Sequence, residues 1–384
     1  MFRIVHISRA GSVTLALAVS LLASGVRAEE STPLPVQLAI WNPLQVFDSQ
    51  RSILGLRYSL IYGVNQDVSG LDISTGMTST KGDFAGVQIG AFNIIDGIAT
   101  GLQFGVFGSD TRKGEIRGVQ VGLLAGSFSG DVTGLQLSLG GNSGADTQGA
   151  QLGGFFNAAD KAAGIQFAGL ANFTESLKGA QISALYNSTK SMSGVQISSL
   201  FNTSEDSKGV QLSSLLNVSD DFKGVQSSMI NIANGFEGVQ DAFLVNVAKD
   251  LNGLQLSLVV NVADGGTGIQ AASVFNYAKG DTGMKGRQLS LLLNVAESFK
   301  GVQSSPINIA DNIEGVQNAL LLNVAKDLDG LQLSSLVNVA NGGTGLQIST
   351  LFNYSKGTKG LQLGLFNYNK NGFLPFFPFF NIAR

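Results

Sequence analysis

The sequence predicts an all-β chain wound as an elongated parallel β-solenoid with coils of about 15 residues, and three observations carry that prediction. The tripeptide Gly-x-Gln recurs nineteen times between Gly86 and Gly360, and thirteen of the eighteen intervals between its glycines are fifteen residues. Each interval alternates apolar and polar residues with the period of two that marks a strand. Gln returns in all nineteen units and Asn in seventeen, so identical amides can stack and hydrogen-bond along a ladder at the ~4.8 Å spacing of neighbouring strands. A period this short means one small unit copied end to end, each copy contacting chiefly its neighbours.

In the type unit, residues 209–223, Val210 and Leu212 flank Gln211, and Leu216 and Val218 flank Asn217. Asp220 to Lys223 is charged and reads as a turn, after which a glycine offers the φ > 0 or close-approach position of a tight corner. Phe222 interrupts that charge, and its counterparts are Leu177, Met192, Phe236, Leu251, Phe299, Ile313 and Leu328. Such a residue is expected to fold back onto the core. Each unit then offers three apolar contributions: Val210 with Leu212, Leu216 with Val218, and Phe222. Asn is ninth from the glycine in most units but eighth at Asn93, Asn231, Asn308 and Asn367. In one continuous strand that slip would send every later side chain to the opposite face, yet the residue before Asn stays large and apolar in both forms. The two halves are therefore expected to be separate short strands meeting at a corner, two or three strands to a coil.

Along the chain, residues 1–28 read as a secretory signal. Arg3, His6 and Arg9 give a positive start, Ala10 to Ser24 is uncharged and apolar or small, and Val26-Arg27-Ala28 suits cleavage after Ala28. Residues 29–85 form an N-terminal cap with diverged repeats, in which Arg57 and Asp72 replace the Gln of Gly-x-Gln. Residues 86–370 are the regular array, and residues 371–384 an aromatic C-terminal cap. Five of the six prolines (Pro33, Pro35, Pro43, Pro375 and Pro378) fall in the terminal segments, where they discourage further strand pairing. Blocks around Lys223 and Lys300, and around Asp250 and Asp327, repeat at an offset of 77 residues. The array has grown by copying about five units at a time. At ~4.8 Å per coil, twenty coils would run on the order of 100 Å.

Composition narrows the function. The chain has no cysteine, and its one histidine, His6, lies in the signal segment. Cleavage leaves 21 Lys and Arg against 27 Asp and Glu, an acidic balance that argues against nucleic acid. The mature chain lacks the commonest acid–base side chain and the usual nitrogen and sulfur metal ligands. No catalytic residue, cofactor site or metal site is expected, and the chain is read as not an enzyme. The units Gly86-Val-Gln-Ile-Gly-Ala-Phe-Asn and Gly360-Leu-Gln-Leu-Gly-Leu-Phe-Asn, with the ending Asn371-Gly-Phe-Leu-Pro-Phe-Phe-Pro-Phe-Phe-Asn381, resemble those of the leptospiral surface-repeat family. That resemblance covers nearly the whole mature chain and implies an exported protein of the surface or outer membrane with no assigned activity. The Ser-Ser form of the central units departs from the Gly-centred family form. The expected role is an exported, non-enzymatic surface or envelope repeat protein, structural or adhesin-like through many weak contacts. It would sit at a bacterial cell surface, in the outer membrane or in the periplasm. Its partner would be an unidentified surface ligand or envelope component, outer-membrane association included.

Sharper readings give way to plainer ones. The acid pairs Glu205-Asp206, Asp220-Asp221 and Asp327 with Asp329 read as solvated turn charges. The Gly-Gly-Thr-Gly runs after Asp264 and Asn341 lack the trailing Asp of calcium-binding β-helices. Gly140 to Gly144 lacks the Gly-Lys-Ser/Thr ending of a phosphate loop. The Asn-x-Ser/Thr positions Asn172, Asn187, Asn202, Asn217 and Asn353 read as interior ladder residues, and Phe373 to Phe380 as a hydrophobic plug. The architectural alternative is an outer-membrane β-barrel, with one tilted strand and a short turn in each fifteen residues.

Overall fold

A computed structural model describes residues 32–280 and 283–384; the signal segment expected over 1–28 lies outside them. The chain is a parallel β-solenoid of about 22 coils, about 15 residues apart. It forms two compact units, the first ending at Thr174 and the second running Glu175–Arg384. In the second unit the strand Tyr186–Ser198 lies parallel to Phe201–Ser213, with Gly194 opposite Gly209, Gln196 opposite Gln211 and Asn187 opposite Asn202. In the first unit, Gly141–Gly153 and Phe156–Ala168 hold the same register, Gln151 against Gln166 and Asn142 against Asn157. The barrel alternative is excluded by this geometry, because successive strands of such a barrel run antiparallel.

The glycine column makes the stack possible. Gly209 has φ +130°, and a Cβ there would lie 1.9 Å from the carbonyl oxygen of Gly194 in the coil before. No L side chain fits that backbone or that space.

Strand continuity departs from expectation. The charged segment pairs in register like the rest, Asp206 with Asp221 and Ser207 with Phe222. A regular coil is therefore one strand of thirteen residues, as in Phe201–Ser213, and not two or three short ones. Inter-coil bonds hold the backbone through the curve at Glu205 to Lys208. The one sharp bend per regular coil falls at the expected corner between the Gln and Asn halves, as at Ser199-Leu200 and Ser214-Leu215.

The apolar pairs are the second correction. Gln211, Asn217 and Phe222 point inward and are buried, whereas Leu212 is exposed and Val210, Leu216 and Val218 are half-exposed. With a side-chain period of two, Val210 and Leu212 must face away from whatever Gln211 faces. The amide columns occupy the inside, so of the three expected contributions only Phe222 reaches the core. Its counterparts Leu177, Met192, Leu251, Phe299 and Leu328 are likewise buried.

Both described ends leave the parallel pattern. Leu34–Trp41 pairs antiparallel with Leu44–Gln45, and Phe376–Ala383 pairs antiparallel with Lys359–Asn369. The aromatic segment is not a plug. Phe373, Phe376, Phe379 and Phe380 are exposed, while Asn381 and Ala383 point inward. The last coil is covered by backbone pairing, and only the final residues of that strand, Asn381 and Ala383, turn inward.

Candidate functional surfaces

The interior is organised by two columns of hydrogen-bonded amides. Gln211 Nε2 donates to Gln196 Oε1 at 2.8 Å, and Gln226 Nε2 donates to Gln211 Oε1 at 2.7 Å. Asn202 Nδ2 donates to Asn217 Oδ1 at 3.0 Å, and Asn187 Nδ2 to Asn202 Oδ1 at 3.0 Å. The Gln column thus donates toward the chain start and the Asn column toward the chain end, so the two rows of amide dipoles oppose each other. The remaining amide hydrogens tie the two strand halves together. Gln211 reaches Ser204 Oγ at 3.0 Å, and Asn202 reaches the Leu212 carbonyl at 2.7 Å. A buried amide costs little when every donor is used this way.

The first unit contains a variation that sequence reasoning registered only as a substitution. Arg57 and Asp72 stand in the Gln column and form a fully buried ion pair. Arg57 Nε donates to Asp72 Oδ1 at 2.8 Å and Nη2 to Oδ2 at 2.6 Å, while Nη1 and Nη2 also reach the Ser79 carbonyl and Thr80 Oγ1. Gln88 Nε2 then donates to Asp72 Oδ2 at 2.8 Å. An ionised carboxylate only accepts, so Asp72 obliges Gln88 to donate toward it, and Gln103 donates to Gln88 in the same sense. The Asn column also has two substitutes, both serines, in the units without Asn. Ser109 stands opposite Asn93, and Ser127 opposite Asn142. Ser109 holds the usual ninth place from Gly101, whereas Ser127 is tenth from Gly118.

Outside, the coil has two contrasting edges about half a coil apart in sequence. The five residues before each glycine carry the charge. Pairs there link adjacent coils: Lys190 with Glu175, Lys223 with Glu237 at 2.7 Å and Lys300 with Glu314 at 2.6 Å in the second unit, and Lys161 with Asp146 at 3.0 Å in the first. Hydrogen bonds from Lys190 and Lys223 hold the carboxyls of Glu175 and Glu237 below their ordinary range, and the one from Arg117 does so for Glu115. These pairs are exposed, and each contributes little to stability. The acid pairs singled out in the sequence lie on this edge. Asp220 accepts from Asn234 and Asp329 from the Thr344 amide. Among the described residues no group of three or more His, Cys, Asp or Glu is placed to hold a metal ion. The five Asn-x-Ser/Thr asparagines are fully buried in the ladder.

The opposite edge is the junction between the Gln and Asn halves, a bend in most coils, where large apolar residues stand beside exposed hydroxyls such as Ser199, Ser214 and Ser335. In the second unit it carries Leu200, Phe243, Leu258, Leu291, Leu320 and Leu336, all exposed. Beside it lies a shallow open groove lined by Ser213, Ser227, Phe243, Ser257, Leu258 and Leu291. Asp241 is the one titratable side chain in that lining, so the groove holds no acid–base couple. No known family model matches the chain, and no curated protein or solved structure is significantly similar to it.

Proposed function

We propose that the chain is an exported, non-enzymatic repeat protein of the bacterial envelope or cell surface, akin to the leptospiral surface-repeat proteins. It acts as a structural element or as a multivalent binder. One observation carries the reading: the same outward side chains return coil after coil around an interior filled by amides and Phe222-type residues. A surface of that kind offers many equivalent weak contacts, whose sum exceeds any one of them. The positive start and uncharged stretch of residues 1–28 support export, and the absence of cysteine and mature histidine supports a role without catalysis.

The test is fractionation of cells expressing the chain from its own start codon, with sequencing of the recovered N-terminus. The expected product begins at Glu29, lies in the envelope fraction and is degraded when protease is added to intact cells. Recovery of uncleaved chain in the cytosol would end the proposal. Protection from external protease would place the protein in the periplasm and leave the adhesin-like role without support.

A further inference from the structure

The two halves of a coil turn different faces outward, and in the second unit those faces differ in chemistry. Beside the Asn column the outward pair is apolar in all eleven coils from Leu216 and Val218 to Phe366 and Tyr368. The coils stack in register, Val247 beside Val262 and Val324 beside Val339, so these pairs form two continuous columns of half-exposed or exposed side chains. Beside the Gln column the outward residues include Ser227, Asp241, Arg287, Ser304 and Asn318, which break that face with polar and charged groups. The Asn-half face ends where Ser188 and Thr203 enter its columns, and in the first unit Asp110 and Ser143 stand there.

A parallel sheet is ordinarily covered on both sides. Here the amides cover the inner side, and the outer side of the Asn half offers an apolar plane. Eleven coils at ~4.8 Å and a strand half of about four residues at ~3.3 Å make it roughly 50 Å by 13 Å. With its rims, that plane approaches the ~800 Å² each partner buries in a standard interface. Its outward polar groups are the hydroxyls of Tyr277, Tyr354 and Tyr368, and Tyr277 already donates to Glu297. Interfaces this apolar are characteristic of homodimers.

Charge selects the same partner and sets its direction. The residue three places after each Asn begins the charged rim of this face. Counted inward from the two ends of the eleven coils, Asp220 mirrors Lys370, Asp264 mirrors Lys326 and Lys279 mirrors Asp311. Asn234 and Asn341 mirror the remaining two lysines. Glu297, at the centre, mirrors itself, and its carboxylate already accepts from the Tyr277 hydroxyl and the Gly280 amide. One coil of shift in either direction sets like charges together, Lys279 against Lys326 or Asp264 against Asp311.

We propose that the Asn-half face of the second unit is covered by the same face of a second copy, with the two arrays antiparallel. The two-fold axis runs along the strands at the coil of Asn294. Such an axis keeps charged rim beside charged rim and reverses the order of the coils. Apolar burial supplies the affinity, and the rim charges set direction and register.

The test is sedimentation of the mature chain over a concentration series, joined to cysteine cross-linking in a chain that has no cysteine of its own. A dimer is expected. Val295→Cys, on the axis, should link to its own copy on mild oxidation. Val218→Cys alone should not, but mixed with Tyr368→Cys it should give a covalent heterodimer. Val262→Lys with Val324→Lys should weaken the dimer roughly a hundredfold or more, because the ammonium groups would be buried unpaired. Val302→Lys with Leu333→Lys, an equal burden on the Gln-half face, should leave it unchanged. Lys370→Asp should weaken the dimer severalfold, and adding Asp220→Lys should restore it.

A chain that stays monomeric throughout the series overturns the proposal. So does a dimer in which Val218→Cys links to its own copy, because the two arrays would then run in the same sense. A dimer indifferent to the changes at Val262 and Val324 uses another surface and overturns it too. None of these outcomes bears on export, which fractionation reads independently.

Discussion

The coils between Ile53 and Ile116 and those between Gly194 and Gly360 have the same narrow interior to fill and fill it differently. In the early coils Ile53, Val68, Phe84, Ala99 and Ile116 are buried and pack into one apolar cluster, and Arg57 and Asp72 interrupt the Gln column with an ion pair. In the later coils the Gln and Asn columns run without such a break, while the column of Phe222 admits Ser207, Gly266 and Gly343. Those early apolar residues stand two places before their glycines, in the column of Phe222, so the early interior differs chiefly by its ion pair. The later one is specified by a self-complementary amide that bonds to its own copy, so a coil can be duplicated without inventing a new partner. The 77-residue duplication falls in the second kind of interior.

The sharpest way to break this contrast is to remove one half of the ion pair. Asp72→Asn leaves the Arg57 guanidinium buried without its counter-charge and replaces an obligate acceptor by a group that also donates. The expected cost is roughly 3–5 kcal/mol, read by urea or thermal denaturation of the full chain. Next comes Gln211→Leu, which strands Gln196 Oε1 and one hydrogen of Gln226 Nε2. Two unmatched buried polar groups at about 1–3 kcal/mol each give a loss of roughly 2–6 kcal/mol. A loss under about 0.5 kcal/mol, in the range of surface substitutions, would mean that the later coils do not depend on the amide column.

The sequence disclosed the amide columns because it repeated them. The fifteen-residue return of Gly, Gln and Asn was enough to infer parallel neighbours in register, since up-and-down strands would carry alternate copies to opposite ends. It did not disclose which set of side chains faces inward. A period of two separates Val210 and Leu212 from Gln211 but is silent on which side is the inside. The usual preference for apolar residues there points the wrong way in a coil whose interior the amides already fill. Charge and glycine suggested a turn at Asp220 to Lys223, yet a solenoid coil can carry its inter-strand bonds through a curve. The phenylalanines after Asn371 suggested a plug because apolar clusters usually close cores; here four of them face solvent and antiparallel backbone pairing covers the last coil.

Two smaller effects refine the contrast. The hydroxyls of Ser183, Ser198, Ser213, Ser257 and Ser290, all four residues after a repeat glycine, are buried without a hydrogen-bond partner. Removing an unmatched group forfeits nothing, so Ser213→Ala should leave stability within about 0.5 kcal/mol or raise it. A clear loss would show that these hydroxyls belong to the network. The inter-coil ion pairs should matter least. Glu175 and Glu237 have folded pKa values held below the ordinary carboxylate range by Lys190 and Lys223. Their contribution is therefore present above the unfolded carboxylate value and is lost as pH falls through the lowered folded one. A melting series toward acid should show a shallow decline in this window, largely erased by about 1 M salt.

The central claim is that the amides are the inside of the coil and the aliphatic residues its outside. Because the chain has no cysteine, single replacements test it cleanly: Gln211→Cys, Leu212→Cys and Asn217→Cys, each treated with a maleimide before and after denaturation. The account predicts rapid labelling at 212 in the folded protein, and labelling at 211 and 217 only once the chain unfolds. Rapid labelling at 211 and 217 with protection at 212 would contradict it.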